Sequence, residues 1–160
     1  MSRVTEEKQN KAQKPSAKAR KTAARLLASQ AVYQSSLNEQ PLKDVAKEYL
    51  DHRIGMEVDG EELVAANKEL FSRILTGIAE NKSDIGHVVQ ANLKIDGKRT
   101  EPLIKAILMC AAYELFACHD TDKGIIINDY LNVAHAFFDQ KEVNLMNGIL
   151  DAVAKALRDN

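Results

Sequence analysis

From Leu103 to Cys118 the chain is apolar apart from Lys105 and Glu114, and this run limits the possible folds more than any other feature. A helix that is apolar on almost every side has to be enclosed by other elements. The run therefore predicts a central helix from Glu101 to Ala117, capped by Thr100 and with Pro102 tolerated in its first turn. It is too short and too charged to cross a bilayer, so no membrane partner is expected.

The surrounding segments repeat their apolar residues at helical rather than strand spacing. A first helix begins near Ala17, with Ala23, Leu26, Leu27, Gln30, Ala31 and Tyr33 as its inner stripe and Lys18, Lys21 and Arg25 on its polar side. Pro41 opens a second helix through Leu42, Val45, Ala46, Tyr49 and Leu50, and Gly55 lies just beyond its end. Asp59 and Glu62 have capping-box spacing before a third helix carrying Leu63, Leu70, Phe71, Ile74, Leu75 and Ile78. After a break at Asn81 to Ser83, a shorter helix runs through Ile85, Val88, Val89 and Leu93 to an Asp96-Gly97 turn. The β-branched run Ile125-Ile126-Ile127 reads as the entry to a helix ending near Phe138, because no partner strand is evident. Asp139 and Glu142 repeat the capping-box spacing before a last helix burying Val143, Met146, Ile149, Leu150 and Val153. The expected class is all-α, with about seven helices joined by short loops.

Charge is unevenly distributed. Residues 1–25 carry eight basic side chains against Glu6 and Glu7, a net of +6, whereas the rest of the chain has a net of −7. A basic arm on an acidic body attracts a polyanion at one place and repels it elsewhere; a solvated tail that aids solubility is the plainer alternative. Residues 1–17 have too few apolar groups to pack and are expected to be disordered when unbound, leaving one domain over residues 18–160. Cys110 and Cys118 lie in the apolar run, match no zinc spacing and are too far apart on one helix to pair. They read as buried thiols, consistent with a reducing cytoplasm. No signal-peptide pattern opens the chain.

Three segments stand out in order: Ala24-Arg25-Leu26-Leu27-Ala28-Ser29-Gln30-Ala31-Val32-Tyr33, then Ala106-Ile107-Leu108 with Ala112-Tyr113-Glu114-Leu115, then Ile127-Asn128-Asp129 leading to Asn147-Gly148-Ile149-Leu150-Asp151. Together they resemble the bacterial transcription antitermination factor NusB family. The resemblance covers about residues 18 to 157 and rests on order and separation rather than on any one piece. It implies two packed three-helix bundles, no catalytic activity and no cofactor. It also implies binding of single-stranded boxA-type RNA from ribosomal RNA leaders, together with a small-subunit ribosomal protein acting as NusE, in an RNA polymerase antitermination complex.

Single-stranded RNA needs cations for its phosphates and flat or amide groups for its bases. Lys18, Arg20, Lys21 and Arg25 stand where the family places its basic cluster, and the spacing of Lys18, Lys21 and Arg25 puts them on one helical face. Gln30 reads either as a contact to a base edge or as a polar side chain satisfied inside the bundle. Lys105 matches a family lysine near the RNA surface. Asn144 and Asn147 complete the expected RNA-facing set, and Tyr33, Glu114 and Lys141 form the expected partner-binding set. Asn128 reads as a cap at the start of the sixth helix ahead of the alternative, a role in recognition. Gly148, unfavourable in mid-helix, reads as the mark of a close helix crossing. The chain departs from the family pattern at Met109, Asn144 and Leu145, where an arginine, a lysine and a phenylalanine are usual; fewer cations predict weaker RNA affinity and a heavier reliance on the arm.

No glycine-rich phosphate loop, nucleophile elbow or metal-spaced histidine pair is present in the sequence, so no enzyme is expected. The alternative is a helical protein-interaction adaptor, a family paralogue with weak RNA binding. A third reading is a detached relative of the amino-terminal domain of some ribosomal RNA methyltransferases, for which activity would have to come from another subunit.

Overall fold

The computed structural model describes residues 15–55, 57–58, 61–62, 64–93 and 100–158. The expected disordered arm, apart from residues 15–17, lies outside the described residues, as do Asp59, Leu63 and the Asp96-Gly97 turn. Seven helices occur among the described residues: α1 (Ala17–Asn38), α2 (Leu42–His52), α3 (Lys68–Glu80), α4 (Lys82–Asn92), α5 (Pro102–Ala117), α6 (Lys123–His135) and α7 (Gln140–Leu157). Helices α1, α2 and α3 pack on one another, and so do α5, α6 and α7. Helix α4 lies on α5 and α7, while α1 and α3 pack directly against α5.

The apolar run behaves as its composition requires. From Ala106 to Leu115 every residue of α5 is buried, so the helix is walled in by both bundles. Its cap is Glu101 rather than Thr100: the Glu101 carboxylate accepts from the backbone N–H of Ile104 at 3.2 Å, and Pro102 takes the first helical position, where no N–H is needed. Ser16 caps α1, accepting from Ala19 N–H at 3.0 Å.

Two further expected caps differ. Helix α3 begins at Lys68, capped by the Asn67 side chain accepting from Leu70 N–H at 2.9 Å, and not at the Asp59–Glu62 spacing. The chain before it instead forms a two-residue antiparallel pair, Glu57–Val58 with Glu61–Glu62, too short for side-chain alternation to announce. Asp139 does occupy the N-cap position of α7, but its side chain makes no capping bond. The Ile125-Ile126-Ile127 run is helical, within α6.

The free end of α5 is closed by a residue from the other end of the chain. Arg158, just past α7, donates Nε to Leu115 O at 2.7 Å, Nη1 to Thr121 O at 2.7 Å, and Nη2 to Cys118 O at 2.6 Å and Glu114 O at 3.2 Å. The carbonyls at a helix C-terminus have no partner within the helix and carry partial negative charge, so a guanidinium there satisfies both needs. Charged hydrogen bonds contribute about 1.5–3 kcal/mol each when buried, and Arg158 is half-buried, so we expect Arg158→Ala to destabilise the protein by about 2 kcal/mol. Urea denaturation followed by circular dichroism measures this; a midpoint equal to that of the wild type would remove the clamp from the account.

Candidate nucleic-acid interface

The basic face of α1 divides into two parts. Lys18 and Lys21 are exposed and line a groove of about 430 Å3 between α1 and α6, together with Ile125, Asn128 and Asn132. Among the described residues neither lysine is in an ion pair. Arg25 follows at helical spacing and reaches the same groove, but as part of its floor: it is only 4% exposed.

The Arg25 guanidinium is held by carboxylates from two other helices. It donates Nε and Nη2 to the two Glu114 oxygens, each at 2.8 Å, and Nη1 to Asp129 Oδ2 at 2.6 Å. Thr22 donates its hydroxyl to the other Asp129 oxygen at 2.7 Å, and the Tyr130 hydroxyl donates to Glu114. The network thus ties α1 to α5 and α6 with every carboxylate oxygen occupied. Burial alone would lower the Arg25 pKa, but the hydrogen bond and charge of Glu114, with the bond to Asp129, raise it above the ordinary arginine value. Burial, then the negative charge of Glu114, push the Tyr130 hydroxyl well above its usual range, so Tyr130 remains a donor. Burial raises the neighbouring Cys110 thiol in the same way, as befits an inert core residue.

Two expectations are corrected by this geometry. Arg25 is not an exposed RNA-facing cation, because it is buried and held by the carboxylates of Glu114 and Asp129. Glu114 is not on a partner-binding surface, because it is fully enclosed and its charge is matched from within. Met109 is also buried, at 7%, so the position where the family carries an arginine faces the core here.

The other expected residues fall on the surface in different places. Arg20 and Gln30 are half-buried on α1, as is Tyr33 one turn beyond Gln30. Lys105 is exposed in the first turn of α5, and Lys141 is exposed at the start of α7. Asn144 is exposed and accepts from the Gln140 amide at 2.7 Å. Asn147 is exposed and lines a second groove, of about 600 Å3, between α6 and α7.

Asn128 is not the expected cap. Helix α6 starts at Lys123, where Asp122 accepts from Gly124 N–H at 3.0 Å, and Asn128 lies exposed in the second turn. It is the residue that borders both grooves. Lys123 and Lys155, which line the second groove, were also missed: each is a single lysine on an ordinary polar face, with no pattern to distinguish it. Gly148 shows no close crossing, since a Cβ built there meets nothing within 4 Å.

The sequence profile of the NusB family matches residues 22–155, from the second turn of α1 through most of α7. The chain belongs to the NusB family. Among its relatives, the transcription antitermination protein NusB of Novosphingobium aromaticivorans is 38% identical over 145 residues, covering 89% of this chain and 97% of that protein. The protein of the same name from Allorhizobium ampelinum is 35% identical over 138 residues, covering 85% and 86%. The solved structure of T. maritima NusB superposes with a TM-score of 0.67 at 24% identity, covering 84% of this chain and 89% of the other, so the all-helical NusB fold is shared. The grooves beside α6 therefore sit on a NusB-family scaffold. No helix among the described residues is long and apolar enough to cross a membrane.

Proposed function

We propose that this chain is a transcription antitermination factor that binds single-stranded, boxA-type RNA of ribosomal RNA leaders together with a small-subunit ribosomal protein acting as NusE, within an RNA polymerase antitermination complex in the cytoplasm. The observation that carries the reading is the groove between α1 and α6, rimmed by two exposed lysines, Lys18 and Lys21, that form no ion pair among the described residues, on a scaffold whose relatives are named transcription antitermination proteins. The sequence before α1 adds four more basic residues, Arg3, Lys8, Lys11 and Lys14. Cations that border a channel beside exposed amides suit a strand whose phosphates need neutralising and whose bases need hydrogen bonds.

Fluorescence anisotropy with a labelled boxA-type RNA, with and without the ribosomal protein, tests the proposal. The RNA is expected to bind, more tightly with the protein partner present. Lys18→Glu with Lys21→Glu is expected to weaken binding several-fold and to flatten its salt dependence. Binding indifferent to those charge reversals would remove α1 from the RNA interface.

A second reading has one observation in its favour. With Arg25 withdrawn into the interior, the described part of α1 offers fewer free cations than its sequence suggests, which suits an adaptor that binds a protein partner and only weakly binds RNA. That reading expects the ribosomal protein to bind with an affinity that added RNA does not change.

A further inference from the structure

The two grooves beside α6 differ in charge. The α1/α6 groove carries Lys18 and Lys21, while the carboxylate in its floor, Asp129, is bonded to Arg25 and Thr22. In the α6/α7 groove Lys123 and Lys155 are matched by Asp122 and Asp151, so its formal charges cancel. What that second groove offers is amides. Asn128 and Asn147 border it, both are exposed, and among the described residues neither side-chain amide has a hydrogen-bond partner. A side-chain amide presents a donor and an acceptor together, the pattern that pairs with a base edge.

Helix α7 carries a second sign on the same face. Asn147, Asp151 and Lys155 follow one another four residues apart and Gly148 lies three before Asp151, so all four lie on one side of the helix. Gly148 is exposed and has open space around it. A glycine inside a helix is less stable than alanine, and packing does not require this one, in contrast to Gly77, where a Cβ would fall 1.9 Å from the Tyr113 ring. A bare stretch of helix beside an amide lets a flat ring come close to the backbone.

We infer that the two grooves divide the work of binding a strand: the α1/α6 groove carries phosphates on Lys18 and Lys21, and the α6/α7 groove reads bases through Asn128 and Asn147 across the open surface at Gly148. The inference rests on the RNA-binding reading above and adds to it where sequence discrimination arises. Asn128, bordering both grooves, is the point at which the strand passes from one to the other over α6.

The experiment compares the full-length protein with its variants on two labelled RNAs, a boxA-type sequence and a permuted sequence of the same composition, over a series of potassium chloride concentrations. Asn128→Ala and Asn147→Ala are each expected to reduce the ratio of the two affinities by about tenfold, with an unchanged salt slope. Lys18→Ala with Lys21→Ala is expected to weaken both RNAs alike and to lower the slope of log affinity against log salt by about 1.4. Gly148→Ala is expected to raise the melting temperature by a few degrees and to weaken boxA binding. Gly86→Ala, at another helical glycine with open space around it, supplies the control: it is expected to raise the melting temperature without affecting RNA. If the lysine variants lose binding while the asparagine variants keep full discrimination, the division of labour is overturned and the RNA-binding reading stands. A wild type that binds neither RNA overturns both, and one that binds both RNAs equally overturns the inference alone.

Discussion

Arg25→Ala is expected to lower the stability of the fold by about 3–5 kcal/mol, the usual cost of leaving buried charges without their partner. Glu114 is fully buried and Asp129 is 6% exposed, so neither can recover in water the hydrogen bonds it loses. Arg25→Lys is expected to recover only part of the loss, because a single ammonium cannot reproduce two bonds to Glu114 and one to Asp129 from fixed directions. Thermal and urea unfolding of the two variants measures the difference. An Arg25→Ala variant as stable as the wild type, with RNA affinity as its only loss, would restore Arg25 to the RNA surface and remove it from the interior network.

The second large effect is expected at Gly77. This residue lies on the buried face of α3, where the Tyr113 ring of α5 occupies the space a side chain would need, with ring atoms 1.9 and 2.1 Å from the position of a Cβ. Alanine there has to displace a ring that is only 7% exposed, and such overpacking costs about 1–3 kcal/mol. The helical preference for alanine over glycine offsets about 1 kcal/mol of a larger clash, so the measured loss is expected in the middle of that range. The contrast with Gly148 is the control, since the same substitution there meets open space and is expected to stabilise. Equal melting temperatures for Gly77→Ala and Gly148→Ala would contradict the packing described for α3 against α5.

The parts of this fold that could be read from the sequence are those where apolar residues are large and periodic. Helix α5 was legible because a run such as Ala106-Ile107-Leu108-Met109-Cys110-Ala111-Ala112 has no polar side to offer to water, and α7 because Val143, Met146, Ile149, Leu150 and Val153 mark one stripe. Helix α1 was legible as a helix but not in its rotation. Its inner face proved to be Ala24, Arg25, Leu27, Ala28, Ser29 and Ala31, and alanines on several sides of a helix leave the buried side undetermined. The signal that pointed to Arg25 lay elsewhere in the chain. Glu114 is an acid in the middle of an apolar helix, and a buried carboxylate requires a cation; the question of which cation leads to α1.

Of the candidate site, the exposure of Lys18, Lys21 and Asn147 was legible, since the family resemblance placed them on the surface and they are exposed. It was not legible at Asn128, because its position depended on where α6 begins. That boundary is set by Asp122, three residues ahead of the isoleucine run, so a residue expected at the mouth of the helix sits on its outer wall instead. Arg158 could not have been assigned its role either, since a single arginine after the last helix carries no trace of the distant carbonyls it will meet.

Neither bundle has a complete interior of its own. The wall that closes the first three helices is the same rod, α5, around which the last two are wrapped, and its exit is held shut by a side chain from the far end of the polypeptide. A cut between the halves would leave one of them hollow, so the two are expected to come apart together, and a ligand seated beside α6 would stabilise helices it never touches.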